Sequence, residues 1–355
     1  MSLRDRLIAE IAATGPISVA DYMLRCLHDP QDGYYATRPA LGAGGDFITA
    51  PLVSQMFGEL IGLWCVETWS RLGSPAAFRL VEAGPGDGTL MSDLLRAARL
   101  APGFLAAADL WLVETSPPLR ALQAERLAGG PLTPRWADSV EQVPGDAPLI
   151  LVSNELLDCL PARQFVRTGQ GWAERLVALD DAGELAFRLG PPASAPTASE
   201  VSLGMVFETS PVQQAFGAML GERIARDGGV ALLIDYGRDA PSPGDTLQAL
   251  KAHQKVDPLA CPGQADLTVH ADFPAVLAAA RQAGAQTAPI LPQRLFLARL
   301  GIEQRAAALA AARPDQFETL ERQLARLVEP DQMGTLFKAA CVHSQNVAPP
   351  GFEEA

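Results

Sequence analysis

The spacing of apolar residues predicts helices over the first 75 positions. Ser18 precedes apolar residues at helical spacing from Val19 to Leu27, and this stretch stops at Asp29-Pro30, so we expect a short capped helix there. A glycine-rich loop follows, and a second helical stretch runs from Val53 to about Gly73. The pattern predicts an N-terminal helical segment over residues 1–75 with a long loop inside it.

From Phe78 onward, short apolar runs alternate with helical stretches. Continuous apolar strands separated by helices are typical of a parallel sheet that is covered on both faces. Because such crossovers are right-handed, the pattern predicts a doubly wound, mostly parallel α/β fold. The predicted strands are FRLVE (78–82), DLWLVE (109–114), a short one around TPRWA (133–137), the continuous apolar run LILVS (149–153) and VALLID (230–235).

Two regions interrupt this alternation. Residues 164–207 contain strand-like runs separated by the turns TGQG and DDAG, which predict an antiparallel β insertion with residues 191–200 as a flexible tip. Residues 239–273 are rich in proline and glycine and predict an irregular segment. The predicted divisions are the helical segment 1–75, the first half of the core at 76–163, the insertion 164–207, the second half of the core at 208–345, and a flexible tail at 346–355.

Composition and charge exclude some classes of partner. The 355 residues carry a net charge of −13, with 48% hydrophobic and 19% charged residues, so the chain can bury a core but repels nucleic acid. We therefore predict no nucleic-acid partner, and a cationic partner suits the charge better. No apolar run reaches the roughly 18 residues of a membrane span, so no membrane insertion is predicted.

The cysteines and the first residues indicate a compartment. The five cysteines are scattered without a CxxC pair, which predicts buried thiols in a reducing compartment and no metal site. The first residues lack the apolar segment of a signal peptide and include Asp5 and Glu10, which argue against a transit peptide. These observations predict a cytoplasmic protein.

The strongest chemical signal lies between the first predicted strand and its helix. Residues 82–89 read Glu-Ala-Gly-Pro-Gly-Asp-Gly-Thr, and glycines let the backbone turn sharply and approach a ligand. A dinucleotide fingerprint needs glycine at position 89, where Thr stands. The spacing acidic-x-G-x-G-x-G is instead typical of proteins that bind S-adenosylmethionine (SAM), and the alternative is a tight strand–helix turn without a ligand. The predicted cofactor residues of this loop are Glu82, Gly84, Pro85, Gly86, Gly88 and Thr89.

Polar residues also follow the next three predicted strands. Glu114 ends the second strand, where a carboxylate can accept hydrogen bonds from both hydroxyls of a ribose. Asp138 and Ser139 follow the third strand, at the position expected for adenine. The alternative for Glu114 is a solvated acid at a strand end. The predicted cofactor residues after these strands are Glu114, Thr115, Ser116, Asp138, Ser139 and Asn154.

Two acidic residues after Asn154 are the predicted catalytic groups. Glu155 and Asp158 are three residues apart, so one helical turn would place them on a common side. We predict that they clamp the acceptor at the carboxyl edge of the sheet, and the alternative is an acid pair that interacts with a helix dipole. Asp235 and Tyr236 end the fifth strand and are predicted to line the acceptor site, with a strand-end turn as the alternative.

These motifs resemble the MidA family of SAM-dependent methyltransferases over nearly the whole chain. Asp87 stands where the family more often has Arg, Leu52 stands where it often has Glu, and Ala83 is smaller than the usual residue. The stretches that carry the resemblance are DYMLRCLHDPQDGYY, GAGGDFITAPLVSQMFGELIG, EAGPGDGTLMSDLLR, VETSPPLRALQ, NELLDCLPARQF, LLIDYG, GDTLQALKAHQKVDPLACPGQADLTVHADF and MGTLFKA.

The resemblance implies a class I, Rossmann-like methyltransferase that uses SAM. The mitochondrial member of the family is a respiratory complex I assembly factor that methylates an arginine. The resemblance therefore implies a protein acceptor, with a complex I subunit as one candidate, and leaves a homodimer open. Residues 45–51 resemble the family's loop that closes over the cofactor, although such a loop is more often a connector. The loop adds as predicted substrate-binding residues Asp46, Phe47, Thr49 and Pro51.

Three other functions stay open at this point. An oxidoreductase with a nicotinamide cofactor would use the same sheet, although Thr89 counts against its fingerprint. An assembly chaperone would bind SAM without catalysis, and the departure of Asp87 from the family pattern is compatible with this function. A small-molecule methyltransferase would use the β insertion to enclose its acceptor.

Overall fold

The computed structural model describes residues 1–37, 49–194 and 201–353. Single turns of other helix types lie at Val140–Gln142, Pro314–Gln316 and Pro330–Gly334. Among the described residues no helix is long and apolar enough to cross a membrane. The α-helices, numbered along the chain, are α1 (Leu3–Thr14), α2 (Val19–His28), α3 (Tyr34–Thr37), α4 (Ala50–Val53), α5 (Gln55–Arg71), α6 (Thr89–Ala98), α7 (Pro102–Ala107), α8 (Pro117–Arg126), α9 (Pro211–Asp227), α10 (Phe273–Gln282), α11 (Gln293–Arg299), α12 (Ile302–Ala312) and α13 (Phe317–Val328).

The strands range from two to ten residues in length. Numbered in the same way, they are β1 (Ile17–Ser18), β2 (Phe78–Ala83), β3 (Ala108–Val113), β4 (Arg135–Ala137), β5 (Leu149–Asn154), β6 (Arg163–Thr168), β7 (Gly171–Leu179), β8 (Leu185–Ala193), β9 (Val206–Thr209), β10 (Gly229–Arg238), β11 (Gln248–Lys251), β12 (Gln254–Val256), β13 (Asp266–Thr268), β14 (Ala271–Asp272), β15 (Gln286–Thr287), β16 (Leu291–Pro292) and β17 (Phe337–His343).

The chain divides into two compact units, each assembled from three stretches. Within the described ranges, the insertion unit comprises Met1–Phe47, Leu157–Gln214 and Ala240–Asp272. The core unit comprises Ile48–Leu156, Ala215–Asp239 and Phe273–Ala355, with the same restriction. Each unit therefore contains residues that are distant in the sequence.

The core unit contains a sheet in the order β15-β17-β10-β5-β2-β3-β4, with β16 also paired to β17. Strands β10, β5, β2, β3 and β4 are parallel, and β17 is antiparallel to β10. Every residue of β5 is buried, as expected for a strand that is covered on both faces. The predicted doubly wound, mostly parallel sheet is confirmed.

The strand order reverses between β2 and β5. The chain runs outward from β2 to β3 and β4, and it then returns to β5 on the other side of β2. In open α/β sheets, ligands bind beyond the carboxyl ends of the strands at such a reversal. The segments that follow Ala83 and Asn154, which end these two strands, are therefore where the topology favours a ligand.

Helix α5 packs closely against α6 and is separate from α4. A Cβ atom at Gly62 would lie 2.6 Å from the Leu94 carbonyl oxygen, so only glycine allows this approach. Ser54 is extended, with φ of −159°, and its hydroxyl accepts a 3.3 Å hydrogen bond from the N–H of Met56. The single helix predicted from Val53 is wrong, because Ser54 ends one helix and caps the next.

The insertion unit contains two antiparallel sheets. One has the order β1-β7-β6-β9, with β8 paired to β7, and it confirms the predicted antiparallel β insertion. The other, β12-β11-β13, lies where the sequence predicts an irregular segment over 239–273. That prediction is wrong because these strands have only three or four residues, which is too short to show an alternating pattern.

Two segments that the sequence predicts to be flexible are ordered in part. Residues 191–193 belong to β8, and residues 195–200 of the same predicted tip lie outside the described residues. In the predicted tail, Phe352 is buried with its ring 5.2 Å from that of Phe296. The Pro350 carbonyl also accepts a 2.9 Å hydrogen bond from Nε1 of Trp64. The tail is therefore packed at Pro349, Pro350 and Phe352, whereas Asn346, Ala348 and Glu353 are exposed.

Candidate active site

The glycine loop follows β2, as the sequence predicts, at the place where the strand order reverses. Gly84, Gly86 and Gly88 have φ of 71°, 54° and 82°, a region that residues with a Cβ atom rarely adopt. A Cβ at Gly84 would also lie 3.1 Å from Cδ1 of Leu156. The carbonyl of Pro85 accepts a 2.9 Å hydrogen bond from the N–H of Gly88. The loop is thus a tight turn whose backbone can approach a ligand closely.

Asp87 anchors the start of α6. Its Oδ1 accepts a 3.0 Å hydrogen bond from the N–H of Thr89, and its Oδ2 lies 2.8 Å from the Arg126 guanidinium. The carboxylate satisfies one of the amides that a helix start leaves without an internal partner. The family's more frequent arginine could not accept this bond, so Asp87 gives the helix a different anchor in this chain.

Four buried polar atoms next to this loop have no hydrogen-bond partner among the described residues. They are Glu82 Oε2, Thr89 Oγ1, Ser153 Oγ and Asn154 Oδ1. Ala83 of β2 is paired with Ser153 of β5, so these atoms lie near the ends of two adjacent strands. Buried polar groups in folded proteins are nearly always hydrogen-bonded. Such a group of atoms at a strand reversal fits the binding of a polar ligand.

Burial raises the pKa of Glu82 well above its ordinary value of 4.5, and the charges of Asp87 and Glu114 raise it further. The folded protein therefore favours the protonated form of Glu82. Its contribution to the free energy of unfolding is fully present below the pKa that Glu82 has in the unfolded chain, and it is lost as the pH rises through the pKa that Glu82 has in the folded protein. Below the pKa of Glu82 in the unfolded chain, we expect Glu82→Gln and the wild type to have similar free energies of unfolding. As the pH rises above it, the variant should become the more stable protein. Urea unfolding at a series of pH values measures this. A difference that stays constant with pH would contradict the raised pKa.

Glu114 follows β3, as predicted, and a buried glutamine holds it. Its Oε1 accepts a 2.8 Å hydrogen bond from the N–H of Ser116, and its Oε2 accepts a 3.3 Å bond from Nε2 of Gln123. The same Nε2 donates to the Gly86 carbonyl at 2.7 Å, and the Oε1 of Gln123 accepts from Nε1 of Trp136 at 2.8 Å. Burial raises the pKa of Glu114. Gln123 therefore connects the glycine loop to Glu114 and to β4.

Sequence reasoning misses Gln123 and Trp136. Gln123 lies inside α8 and Trp136 inside the three-residue strand β4, where polar and aromatic side chains are common. Neither residue stands at the end of a strand, which is the only position that the fold rule marks as important. Their role becomes visible only from their contacts.

The other predicted cofactor residues lie after β3 and β4. Asp138 is exposed and accepts a 2.6 Å hydrogen bond from Arg120, which also donates to the Glu114 carbonyl at 2.7 Å. Ser139 is half-buried and directly precedes the turn at Val140–Gln142. Asp138 is thus linked through Arg120 to the end of β3, next to the ribose position that the sequence predicts.

Thr115 and Ser116 lead from β3 into α8. Thr115 is exposed. Ser116 is buried, and its hydroxyl accepts a 3.5 Å hydrogen bond from the N–H of Leu119. Ser116 therefore caps the helix that carries Gln123, and its own N–H holds Glu114.

Glu155 does not lie in a helix, contrary to the predicted turn over residues 155–158. Its φ is 53°, and its N–H donates a 2.9 Å hydrogen bond to the Ile234 carbonyl. Its Oε1 accepts bonds from the N–H of Ala50 at 3.0 Å and from Nδ2 of Asn154 at 2.9 Å. The helical prediction is wrong because the backbone continues the pairing of β5 with β10, and the side chain caps α4 instead.

Asp158 and Glu155 are assigned to different units of the chain. Asp158 belongs to the insertion unit, where it is buried and its carbonyl accepts a 2.9 Å hydrogen bond from the N–H of Val269. Glu155 belongs to the core unit. Their joint action on an acceptor stays a prediction.

Two of the four predicted substrate-binding residues in the N-terminal loop can be placed. Thr49 precedes α4, and its carbonyl accepts a 2.9 Å hydrogen bond from the N–H of Leu52. Pro51 is buried inside the same short helix. Asp46 and Phe47 lie outside the described residues.

Asp235 and Tyr236 lie inside β10, which continues to Arg238 instead of ending at them. Asp235 is fully buried and pairs in register with Lys338 of β17. Tyr236 is half-buried, with its ring centroid 5.3 Å from that of Phe337. The strand is longer than its apolar run indicates because β17 pairs along it as far as Tyr236. In the part of the chain that the structure describes, no group of three His, Cys, Asp or Glu side chains is placed to hold a metal ion.

Comparisons with known proteins connect this geometry to a family. A family described as "Putative S-adenosyl-L-methionine-dependent methyltransferase" matches residues 60–291. The mitochondrial protein arginine methyltransferase NDUFAF7 of Danio rerio is 37% identical, covering 95% of this chain and 86% of its own length. Its counterpart in Homo sapiens is 36% identical, with coverages of 93% and 81%.

A solved structure agrees with these relatives. The crystal structure of a superfamily member from Burkholderia thailandensis bound to S-adenosyl-homocysteine superposes with a TM-score of 0.85. The two chains are 30% identical, and the match covers 99% of this chain and 93% of the other. Similarity at this level extends beyond the sheet to nearly the whole chain.

The relatives also correct the predicted location. They are named mitochondrial proteins, which contradicts the prediction of a cytoplasmic protein. The prediction is wrong because scattered thiols indicate a reducing compartment without showing which one. With a family match over more than half of the chain and relatives over a third identical along almost all of it, the chain belongs to the S-adenosyl-L-methionine-dependent methyltransferases and is an enzyme that uses SAM.

Proposed function

We propose that this enzyme methylates a guanidinium nitrogen of an arginine in a protein acceptor. The observation that carries the proposal is that relatives from fish, fly and human are named protein arginine methyltransferases and match 93% to 95% of this chain. A match of this length includes the insertion unit as well as the core unit. It therefore covers the residues predicted to bind the acceptor as well as those predicted to hold the cofactor.

The core unit supplies the residues that would hold SAM. We assign the glycine loop Gly84–Gly88 and Glu82 to its methionine part, Glu114 to its ribose, and Asp138 and Ser139 to its adenine. The residues fit this group because the loop permits close backbone approach and the buried polar atoms beside it can pair with a ligand. When bound, SAM supplies a methyl group on a positively charged sulfur atom.

Gln123→Leu is expected to weaken SAM binding roughly tenfold, because it removes the hydrogen bonds that hold Gly86 and Glu114 in position and the one that Gln123 accepts from Trp136. A tenfold loss of affinity corresponds to about 1.4 kcal/mol, roughly half of what three hydrogen bonds of about 1 kcal/mol each contribute to the fold. The turnover number at saturating SAM should change little, since Gln123 positions the cofactor residues and does not touch the acceptor. Calorimetry and steady-state kinetics measure both. Gln293→Leu is the matched control, because Gln293 is also fully buried in the core unit and donates to a backbone carbonyl, that of Leu327. Equal losses in the two variants would contradict a specific role for Gln123.

An arginine acceptor needs carboxylates. Its guanidinium stays protonated up to a pKa above about 12, so the attacking nitrogen must be oriented and the positive charge drawn away from it. A carboxylate does both through paired hydrogen bonds. We assign this part to Glu155 and Asp158, one of which takes the released proton or passes it to water.

The acceptor protein is proposed from the family resemblance. It would be an arginine-containing subunit of respiratory complex I, and the net charge of −13 suits a basic peptide. A homodimer also stays a prediction, which light scattering of the purified protein would check.

The proposed function is tested by following the methyl group. Extract from a strain that lacks this protein is incubated with labelled SAM, with and without the purified enzyme, and labelled proteins are identified by mass spectrometry. Methyl-arginine that appears only with the enzyme supports the proposal. A label on another residue type or on a small molecule would overturn it, and no label at all would favour a SAM-binding chaperone.

A further inference from the structure

A buried polar pair in the insertion unit has no part in the cofactor site. The hydroxyl of Tyr35 donates a 2.8 Å hydrogen bond to Oδ1 of Asp266. Asp266 is only 2% exposed, whereas Tyr35 is partly exposed. The two residues come from the stretches DGYY and ADLT. The fold therefore brings distant parts of the chain together around one carboxylate.

Thr268 and Asp158 lie next to this pair. Asp266 and Thr268 are alternate residues of β13, so their side chains extend from the same face of the strand. The following residue, Val269, donates its N–H to the Asp158 carbonyl at 2.9 Å, which fixes Asp158 beside the end of the strand. The pKa of Tyr35 is raised, mainly by burial and also by the charges of Asp266 and Asp158. Both carboxylates are therefore within electrostatic range of the phenol.

The side-chain hydroxyl of Thr268 is a candidate ligand contact. It is 2% exposed, and its Oγ1 has no hydrogen-bond partner among the residues that the structure describes. A buried hydroxyl without a partner costs about 1 to 3 kcal/mol, and such groups commonly mark the place of a ligand or an ordered water. The hydroxyl extends from the same strand face as Asp266, so a ligand that pairs with it also meets a carboxylate.

We propose that Asp266, Thr268 and Asp158 bind the guanidinium of the acceptor arginine, with Tyr35 as the positioning residue for Asp266. The proposal rests on the proposed arginine methylation. Arginine carries five N–H donors in one plane and no acceptor, which suits a cluster formed by two carboxylates and a hydroxyl oxygen. The ring of Tyr35 adds an aromatic face of the kind against which guanidinium groups pack. A lysine ammonium has a more compact geometry and would match the set less well.

The test measures binding of a small probe to the full-length protein. N-acetyl-L-arginine amide is titrated into protein saturated with S-adenosyl-homocysteine, with N-acetyl-L-lysine amide as the comparison probe, and binding is followed by NMR. In Asp266→Asn the dissociation constant for the arginine probe should rise roughly tenfold to a hundredfold. Tyr35→Phe and Thr268→Val should raise it severalfold, and the lysine probe should bind more weakly to the wild type.

Tyr22→Phe is the matched control. Tyr22 is another tyrosine of the insertion unit whose hydroxyl is hydrogen-bonded. It is fully buried, and its hydroxyl donates a 2.7 Å hydrogen bond to the Pro258 carbonyl. Its variant should bind the arginine probe like the wild type. Thr268→Val changes a hydroxyl to a methyl group of the same shape and keeps the test valid if a carboxylate variant fails to fold, and S-adenosyl-homocysteine affinity serves as the check of folding. Equal affinity for both probes in the wild type, or unchanged arginine affinity in all three cluster variants, would overturn the assignment.

The two proposals fail in different ways. If mass spectrometry finds methyl-arginine while the cluster variants bind the arginine probe as the wild type does, the cluster assignment is wrong and the proposed function stands. If the methyl group is found on another residue type, the proposed function is wrong, and the cluster assignment falls with it.

Discussion

Glu114→Ala is expected to weaken SAM binding about a hundredfold, because two hydrogen bonds from ribose hydroxyls to a charged acceptor together contribute roughly 3 kcal/mol. Glu114 follows β3 and is held by the N–H of Ser116 and by Gln123, so its side chain has little freedom left to lose on binding. The turnover number at saturating SAM should change much less than the affinity. Calorimetry with SAM and with S-adenosyl-homocysteine measures the effect.

Two further variants separate a cofactor role of Glu114 from a structural one. Glu114→Gln keeps an oxygen that can accept from the Ser116 N–H, and its loss of affinity should be intermediate. Glu125→Ala removes an exposed acid from α8, the helix that follows Glu114, and should bind SAM like the wild type. Wild-type affinity in Glu114→Ala would exclude Glu114 from the cofactor site.

The places of the proposed cofactor residues can be predicted from the sequence because most of these residues follow the strands directly. β5 and β10 contain the continuous apolar runs LILV and VALLI, β2 is mostly apolar, and a parallel sheet places the carboxyl ends of these strands along one edge. The positions of the glycine loop and of Glu114 follow from that rule alone. Gln123 cannot be predicted in this way, because its contacts with Gly86 and Trp136 depend on how α8 packs against the sheet.

The surroundings of the proposed acceptor residues depend on contacts between distant stretches, which no local pattern shows. The helical turn predicted over Glu155–Asp158 rests on spacing alone, whereas the N–H of Glu155 bonds to Ile234 and its side chain to Ala50. Tertiary hydrogen bonds of this kind override local preference. Tyr35 and Asp266 are separated by 231 positions in the chain. The strands β11, β12 and β13, which position Asp266, are too short to show a hydrophobic periodicity in the sequence.

The two amide variants Glu155→Gln and Asp158→Asn are each expected to lower methyl transfer by about a hundredfold or more, the usual effect of removing a group that handles charge and protons in the transition state. SAM affinity should stay close to that of the wild type. The Oε1 of a glutamine at position 155 can still accept from the N–H of Ala50, so the anchor of α4 is kept and the loss reports the missing charge. Turnover numbers with labelled SAM, together with calorimetry, measure both quantities. If turnover survives both changes, neither acid orients the acceptor, and the carboxylate that does so must be sought among the others, beginning with Asp266.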